Sequence, residues 1–309
     1  MSKILISTSS FNIENIEDLS LLESNGYTII NNPYGRRLKE FEIKELLQDN
    51  VIGLIAGVEP LTRDILKSAQ SLKVIARCGV GMDNVDLNAV KELGIAISNT
   101  PNAPTIPVAE LTLAHMLNLL RKVSEADRNI RNGLWQPLMG NQIANKVVGI
   151  IGYGRIGRRV AKLVRSFGAK VIAYDKTCSN VENNIFMSLE KLLTNADIVT
   201  LHLPYNEHTH HIINKERLEL MKSTAYLINT SRGGLIDEDA LYILIKNKLI
   251  AGAGLDAFSH EPYNGSLIEL PQVLLTAHMG SYAKEARINQ EIESARNLVR
   301  HLKESKLLQ

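Results

Sequence analysis

The chain has 309 residues, 45% of them hydrophobic and 22% charged, and its 35 Lys+Arg against 33 Asp+Glu give a formal net charge of +2. That apolar share excludes a disordered or fibrous chain, and the near-balance of charge leaves no strong field to draw in nucleic acid or an anionic membrane. The length suits two domains, each with its own core.

The first 18 residues hold one short apolar run followed by acids, which falls short of the roughly 7–15 apolar residues of a secretory signal. No stretch reaches the roughly 20 apolar residues of a membrane span. Cys78 and Cys178 form neither a disulfide framework nor a Cys-x-x-Cys site, so a reducing, cytoplasmic setting is expected.

In chain order, short apolar runs at 4–6, 27–30, 51–55, 74–75 and 95–97 predict strands in the first third. Leucine-spaced polar segments at 38–48, 63–68 and 88–93 predict helices between them. Runs at 147–151, 171–174, 198–203, 226–228, 251–255 and 273–275 continue the alternation. Strands covered on both faces read as unbroken apolar runs, so the pattern predicts parallel sheets flanked by helices, the α/β class.

Two segments interrupt this rhythm. Residues 100–135 begin with Pro101, Pro104 and Pro107, then place Val108, Leu111, Ala114, Leu117 and Leu120 at helical spacing. The stretch after Gly280 spaces Ile288, Ile292, Ala295, Val299 and Leu302 likewise. Each predicts a long helix. Their positions suit two chain crossings, the middle of the sequence forming one domain and its two ends the other.

The run Val147-Val148-Gly149-Ile150-Ile151 leads into Gly152-Tyr153-Gly154-Arg155-Ile156-Gly157, a Gly-x-Gly-x-x-Gly sequence. Three spaced glycines alone are a weak signal. Here a predicted strand precedes them, a helix follows, and a second strand ends in Asp175, 18 residues beyond Gly157. Gly152 suits the tight turn, Gly154 a close backbone approach to a pyrophosphate, and Gly157 close helix–strand packing. The N–H groups around Arg155 and Ile156 would face the anion. Asp175 would accept from the adenosine ribose hydroxyls and repel a 2′-phosphate, which favours NAD, although Lys176 beside it tempers that preference.

Ligands of open α/β sheets sit beyond the carboxyl ends of the strands, and three predicted strand ends carry reactive side chains. Arg232 can grip a carboxylate bidentately and polarise a neighbouring carbonyl. His278 titrates nearest neutrality and suits proton exchange with an alcohol. Glu261 could fix the histidine's tautomer and stabilise its imidazolium. Singly, each has a plain structural reading. Together with a dinucleotide fingerprint they point to hydride transfer on a 2-oxo acid. His208-Thr209-His210-His211 lacks carboxylates or cysteines at ligand spacing, and no metal site is expected.

The residues 77–86 (RCGVGMDNVD), Asn99-Thr100-Pro101, Val108-Ala109-Glu110, the glycine fingerprint, His202-Leu203-Pro204, 229–237, 255–262 and His278-Met279-Gly280 together resemble the D-isomer-specific 2-hydroxyacid dehydrogenase family, and within it the phosphoglycerate-dehydrogenase-like members. The resemblance covers nearly the whole length. It implies two doubly wound parallel-sheet domains: a Rossmann NAD-binding domain, residues 100–281, inserted into a flavodoxin-like substrate domain, residues 1–99 and 282–309. It implies Arg232, Glu261 and His278 as the catalytic set, with His278 protonating the carbonyl oxygen. Arg77, Gly79, Val80 and Gly81 would serve the substrate. Gly152, Gly154, Arg155, Ile156, Gly157, Asp175, Pro204, Thr209, Thr230, Asp256 and Gly280 would serve the cofactor, Asp256 by accepting from the nicotinamide carboxamide. It further implies a homodimer built partly from the helix after Asn102 and the segment around Trp135, and hinges near 99–101 and 280–282 that let two domains close.

Three departures from the family pattern bear on the substrate. Ala277 stands where many members have proline, and the hinge continues Asn102-Ala103-Pro104. Where some phosphoglycerate enzymes carry arginines after the third strand, this chain has Val58-Glu59-Pro60, whose carboxylate opposes a phosphate. Adjacent Arg36 and Arg37, or Arg63 or Arg77, could compensate, and Arg36 and Arg37 are expected to favour a phosphorylated acid. The chain ends 29 residues after Gly280, so the small regulatory domain of longer relatives is not expected. The leading expectation is interconversion of 3-phosphoglycerate and 3-phosphohydroxypyruvate with NAD. A glyoxylate, hydroxypyruvate or other short 2-oxo acid reductase is the alternative. An NAD-sensing binding protein is the reading from a different class.

Overall fold

A sheet covered on both faces needs apolar side chains in both directions, and the eleven unbroken apolar runs supply them. The computed structural model describes residues 2–11, 16–177 and 185–308, so Cys178 lies outside the described residues. The chain divides into two units, Met1–Pro104 with Ala283–Gln309, and Thr105–Tyr282.

The first unit runs β1 (Lys3–Ile6), α1 (Glu17–Ser24), β2 (Thr28–Asn31), α2 (Glu40–Leu46), β3 (Val51–Ala56), α3 (Arg63–Ser68), β4 (Val74–Arg77), α4 (Leu87–Glu92) and β5 (Ala96–Ser98). Its five parallel strands are ordered β2-β1-β3-β4-β5, the flavodoxin-like order. Ile4 and Ile6 of β1 pack with Leu19 and Leu22 of α1 and with Ala295, Leu298 and Leu302 of the C-terminal helix, Lys284–Glu304. Leu5 between them turns to the other face, among Ile43, Ile65 and Val90 of α2, α3 and α4. Period-two alternation inside a wholly apolar run thus feeds two cores at once.

The second unit runs α5 (Thr105–Arg121), α6 (Val123–Arg131), β6 (Val147–Ile151), α7 (Arg155–Ser166), β7 (Lys170–Tyr174), α8 (Leu189–Asn195), β8 (Ile198–Leu201), α9 (Lys215–Glu219), β9 (Tyr226–Asn229), α10 (Glu238–Lys246), β10 (Gly252–Leu255) and β11 (Val273–Leu275). The strands are parallel in the order β11-β10-β9-β8-β6-β7. A single parallel bridge from Ala173 to Phe186 adds a rudimentary strand outside β7. Counted with it, the order is that of a Rossmann sheet, with one further strand at the far edge. Val148 and Ile150 pack with Val160 and Val164 of α7 and Met116 and Leu120 of α5. Ile151 faces Leu192, Leu218 and Leu241 from α8, α9 and α10.

The single helix expected within 100–135 is two helices. Lys122 turns left-handed at φ +54°, and α6 buries none of its side chains, so no packing enforces continuity. Asn118 seals the break: its Oδ1 accepts from Ser124 N at 3.0 Å, and its Nδ2 donates to Ser124 Oγ at 2.6 Å. Among the described residues, no helix is long and apolar enough to cross a membrane.

Candidate active site

The strand order of the second unit reverses between β6 and β8, and the glycine turn lies at that point. Gly152 has φ +94°, and a Cβ there would stand 2.5 Å from His202 O on the neighbouring strand end. A Cβ on Gly157 would stand 2.1 Å from Gly152 O. Both sites exclude any side chain. Gly154 differs: a Cβ would meet nothing within 4 Å, so the turn is bare beside the first N–H groups of the 12-residue helix α7. An uncovered helix start at a switch point fits a pyrophosphate, and Arg155 and Ile156 are its first residues. Asp175, at the end of β7, accepts from Tyr153 N at 2.7 Å through Oδ2 and from Thr177 N at 2.7 Å through Oδ1. The carboxylate is thereby anchored beside the turn. Thr209 closes its own loop, donating to Pro204 O at 2.8 Å and accepting from Asn206 N at 2.8 Å. In the same loop, the His210 and His211 rings stack at 3.9 Å.

Adjacent strands β9, β10 and β11 bring Arg232, Asp256, Glu261 and His278 to one edge of this unit. Arg232 follows β9, with Nη1 donating to Ser231 O at 2.8 Å and its carbonyl accepting from Asn229 Nδ2 at 2.8 Å. The 256–263 loop is pinned where Glu238 Oε1 accepts from Ser259 N at 2.7 Å. Within it, Glu261 Oε1 accepts from Phe258 N at 3.0 Å. His278 Nδ1 lies 2.9 Å from both Glu261 oxygens.

His278 itself is left-handed at φ +51°, a conformation that costs a non-glycine residue about 1 kcal/mol or more and persists only where its surroundings enforce it. Asp256 does so from below. Buried to 1% exposure, it accepts from Met279 N at 2.9 Å and Gly280 N at 2.7 Å. Thr230 is tied to α5 instead. Thr112 donates its hydroxyl proton to Val108 O at 2.7 Å, so Thr230 Oγ1, 2.8 Å away, is the donor to Thr112.

The first unit carries the 77–81 loop after β4. Arg77 is buried, and its guanidinium donates to Cys78 O and, through Nε, to Gly81 O at 3.2 Å. These bonds brace the loop from inside. Gly79 N donates to Thr100 Oγ1 at 2.8 Å, which leaves the N–H groups of Val80 and Gly81 as this loop's available donors among the described residues. Cys78 is buried, and burial pushes its thiol up, as for a packing residue. Glu59 is also buried, its carboxylate accepting from Ser7 Oγ and from Gly57 N at 3.0 Å.

Arg36 is not a vacant phosphate ligand. Nη1 and Nη2 close on Glu42 Oε2 and Oε1 at 2.9 and 2.6 Å, and the Arg36 guanidinium, with the Lys39 N–H, holds that carboxyl at about 2. Sequence reasoning passed over this pairing because Glu42 looks like any helix-face acid. It also passed over His115, Thr112, Thr276 and Gly233, whose roles depend on neighbours distant in the chain. Thr276, two residues before His278, and Gly233, next to Arg232, carry a local signal.

A family model described as "D-isomer specific 2-hydroxyacid dehydrogenase, NAD binding domain" matches residues 113–280. The chain is 40% identical to a glyoxylate reductase of Thermococcus litoralis, over 78% of this chain and 77% of that one. It is 38% identical to a D-3-phosphoglycerate dehydrogenase of Methanocaldococcus jannaschii, over 81% of this chain and 49% of that longer one. Among solved structures, the TT0316 protein of Thermus thermophilus superposes with a TM-score of 0.89 at 34% identity, covering 98% of this chain and 97% of that one. With the glycine turn, the anchored Asp175 and the His278–Glu261 pair in place, the chain belongs to the D-isomer-specific 2-hydroxyacid dehydrogenase family, and Thr105–Tyr282 contains its NAD-binding domain.

Proposed function

We propose that this enzyme interconverts a D-2-hydroxy acid and its 2-oxo acid, with a short unphosphorylated acid such as glyoxylate or hydroxypyruvate as substrate. NAD, when bound, supplies or accepts the hydride. Arg232 pairs with the substrate carboxylate in bidentate fashion. Glu261 holds His278 Nδ1, which leaves Nε2 to give a proton to the 2-oxo oxygen or to take one from the alcohol. That pairing is the observation that carries the proton-transfer role, since a carboxylate on Nδ1 steadies the imidazolium and fixes the ring.

The choice against a phosphorylated acid is supported by Arg36, whose fork is taken up by Glu42, and by the buried Glu59, which stands in the sequence where some phosphoglycerate enzymes carry arginines. 3-Phosphohydroxypyruvate is the second reading, favoured by the similarity to the D-3-phosphoglycerate dehydrogenase. A panel of glyoxylate, hydroxypyruvate and 3-phosphohydroxypyruvate, each with NADH and NADPH, separates the two. Highest kcat/KM for the phosphorylated acid overturns the first reading. NADH binding with turnover of none of them favours a nucleotide-sensing role instead. Homodimer formation belongs to the same proposal, supported by Leu134, Trp135 and Met139, which stand 56%, 87% and 89% exposed after α6.

A further inference from the structure

Helix α5 buries a histidine that the reaction described above does not use. His115 is 1% exposed, and its Nε2 lies 3.1 Å from Thr276 Oγ1. Thr276 Oγ1 lies 2.5 Å from Asp256 Oδ1. A hydroxyl has one proton and a carboxylate can only accept, so Thr276 donates to Asp256 and accepts from His115. Nε2 therefore carries a proton, and the burial that pushes His115 down favours the neutral ring. Room for the ring comes from Gly254 of β10, where a Cβ would stand 2.9 Å from His115 Nδ1.

The chain His115–Thr276–Asp256 ends at the loop that carries His278. Each carboxylate oxygen has two lone-pair directions. Asp256 Oδ1 fills both, with Thr276 and Met279 N, and Oδ2 fills one with Gly280 N. One direction remains on Oδ2.

We propose that His115 is a positioning residue for the cofactor: by fixing the Thr276 hydroxyl it holds Asp256 rigid, so that the last Oδ2 lone pair is aimed at the carboxamide N–H of the nicotinamide. The proposal rests on the role of Asp256 as carboxamide acceptor and deepens it. Leucine at 115 would fill a similar volume yet leave the Thr276 hydroxyl free to turn and a buried acceptor unmet.

The test titrates NADH fluorescence on binding, together with the reduced 3-acetylpyridine analogue, which carries a methyl ketone in place of the amide and has no N–H to give. Wild type should bind NADH roughly tenfold more tightly than the analogue. His115→Leu should lose most of that difference by weakening NADH binding alone, with thermal unfolding recording whether the fold is intact. His115→Gln, whose amide nitrogen stands near the place of Nε2, should restore it. Thr276→Val breaks the chain from its other end and should match His115→Leu. A wild type that binds both nucleotides equally defeats the Asp256 role, and the proposal with it. A wild type that discriminates, beside a His115→Leu that discriminates equally well or weakens toward both alike, defeats the proposal alone.

Discussion

Gly233 and Phe258 approach so closely that a methyl group on the glycine would stand 1.9 Å from the Phe258 carbonyl carbon. That contact sets the spacing between the turn that carries Arg232 and the loop that carries Glu261. Gly233→Ala cannot be absorbed by a rotamer change, because both sides of the contact are backbone. Overpacking of this kind costs about 1–3 kcal/mol, and a displacement near 1 Å costs about 10²-fold in rate. Expected together are a lowered melting temperature and a fall in kcat/KM of about two orders of magnitude, measured by calorimetry and steady-state kinetics. Unchanged kinetics would show that the spacing of these loops does not matter.

Glu261→Gln keeps a hydrogen-bonding group against His278 Nδ1 but removes the charge that steadies the imidazolium. The expected outcome is a kcat lowered by about 10²-fold or more, with NADH binding by fluorescence within a factor of two of wild type. A variant that keeps wild-type turnover removes Glu261 from the mechanism.

Asp175→Asn retains an acceptor for Tyr153 N while removing the charge that the proposed cofactor site sets against a 2′-phosphate. At about 5 Å and high effective dielectric, a carboxylate and a phosphate repel by roughly 1–2 kcal/mol. The ratio of kcat/KM for NADPH over NADH should therefore rise about tenfold. A ratio unmoved by the substitution assigns cofactor choice to other residues.

Burial pushes His202 down to about 3, so it is neutral in the folded protein at every pH near neutrality. In the unfolded chain it titrates near 6.5. A depressed folded value contributes stability that is present above pH ~6.5 and is lost as pH falls from there toward 3. His202→Gln should flatten the fall of unfolding free energy across pH 6 to 4 by up to about 1.4 kcal/mol per pH unit, the contribution of one proton. Denaturant melts at a series of pH values measure it. Identical slopes for variant and wild type rule the linkage out.

Trp135→Glu with Met139→Glu places two carboxylates on the apolar run after α6. Sedimentation velocity should show a dimer for wild type and a monomer for the double variant, with the secondary structure of each unit retained. A wild-type monomer at micromolar concentration refutes the dimer.

The eleven strands, the glycine turn and the three strand-end residues could be read from the chain itself, because the information is local. A short apolar run is a strand whichever neighbour it pairs with, and Gly152, Gly154 and Gly157 keep their spacing in any fold. The helix break at Lys122 could not be read this way, since the apolar spacing, which ends at Leu120, does not mark it, and the break is closed by the Asn118–Ser124 seal. Nor could the fate of isolated charges. The fork of Arg36 is taken up by Glu42, and two donors of Arg77 go to carbonyls of its own loop. A guanidinium or imidazole acts through whatever lies within about 3 Å, and that partner is set by packing between elements far apart in sequence. Sequence thus determined the class of fold and the kind of chemistry, through patterns that repeat along the backbone. Which side chains are available for that chemistry, and which, like His115, Thr276 and Asp256, hold others in place, was decided by tertiary contacts alone.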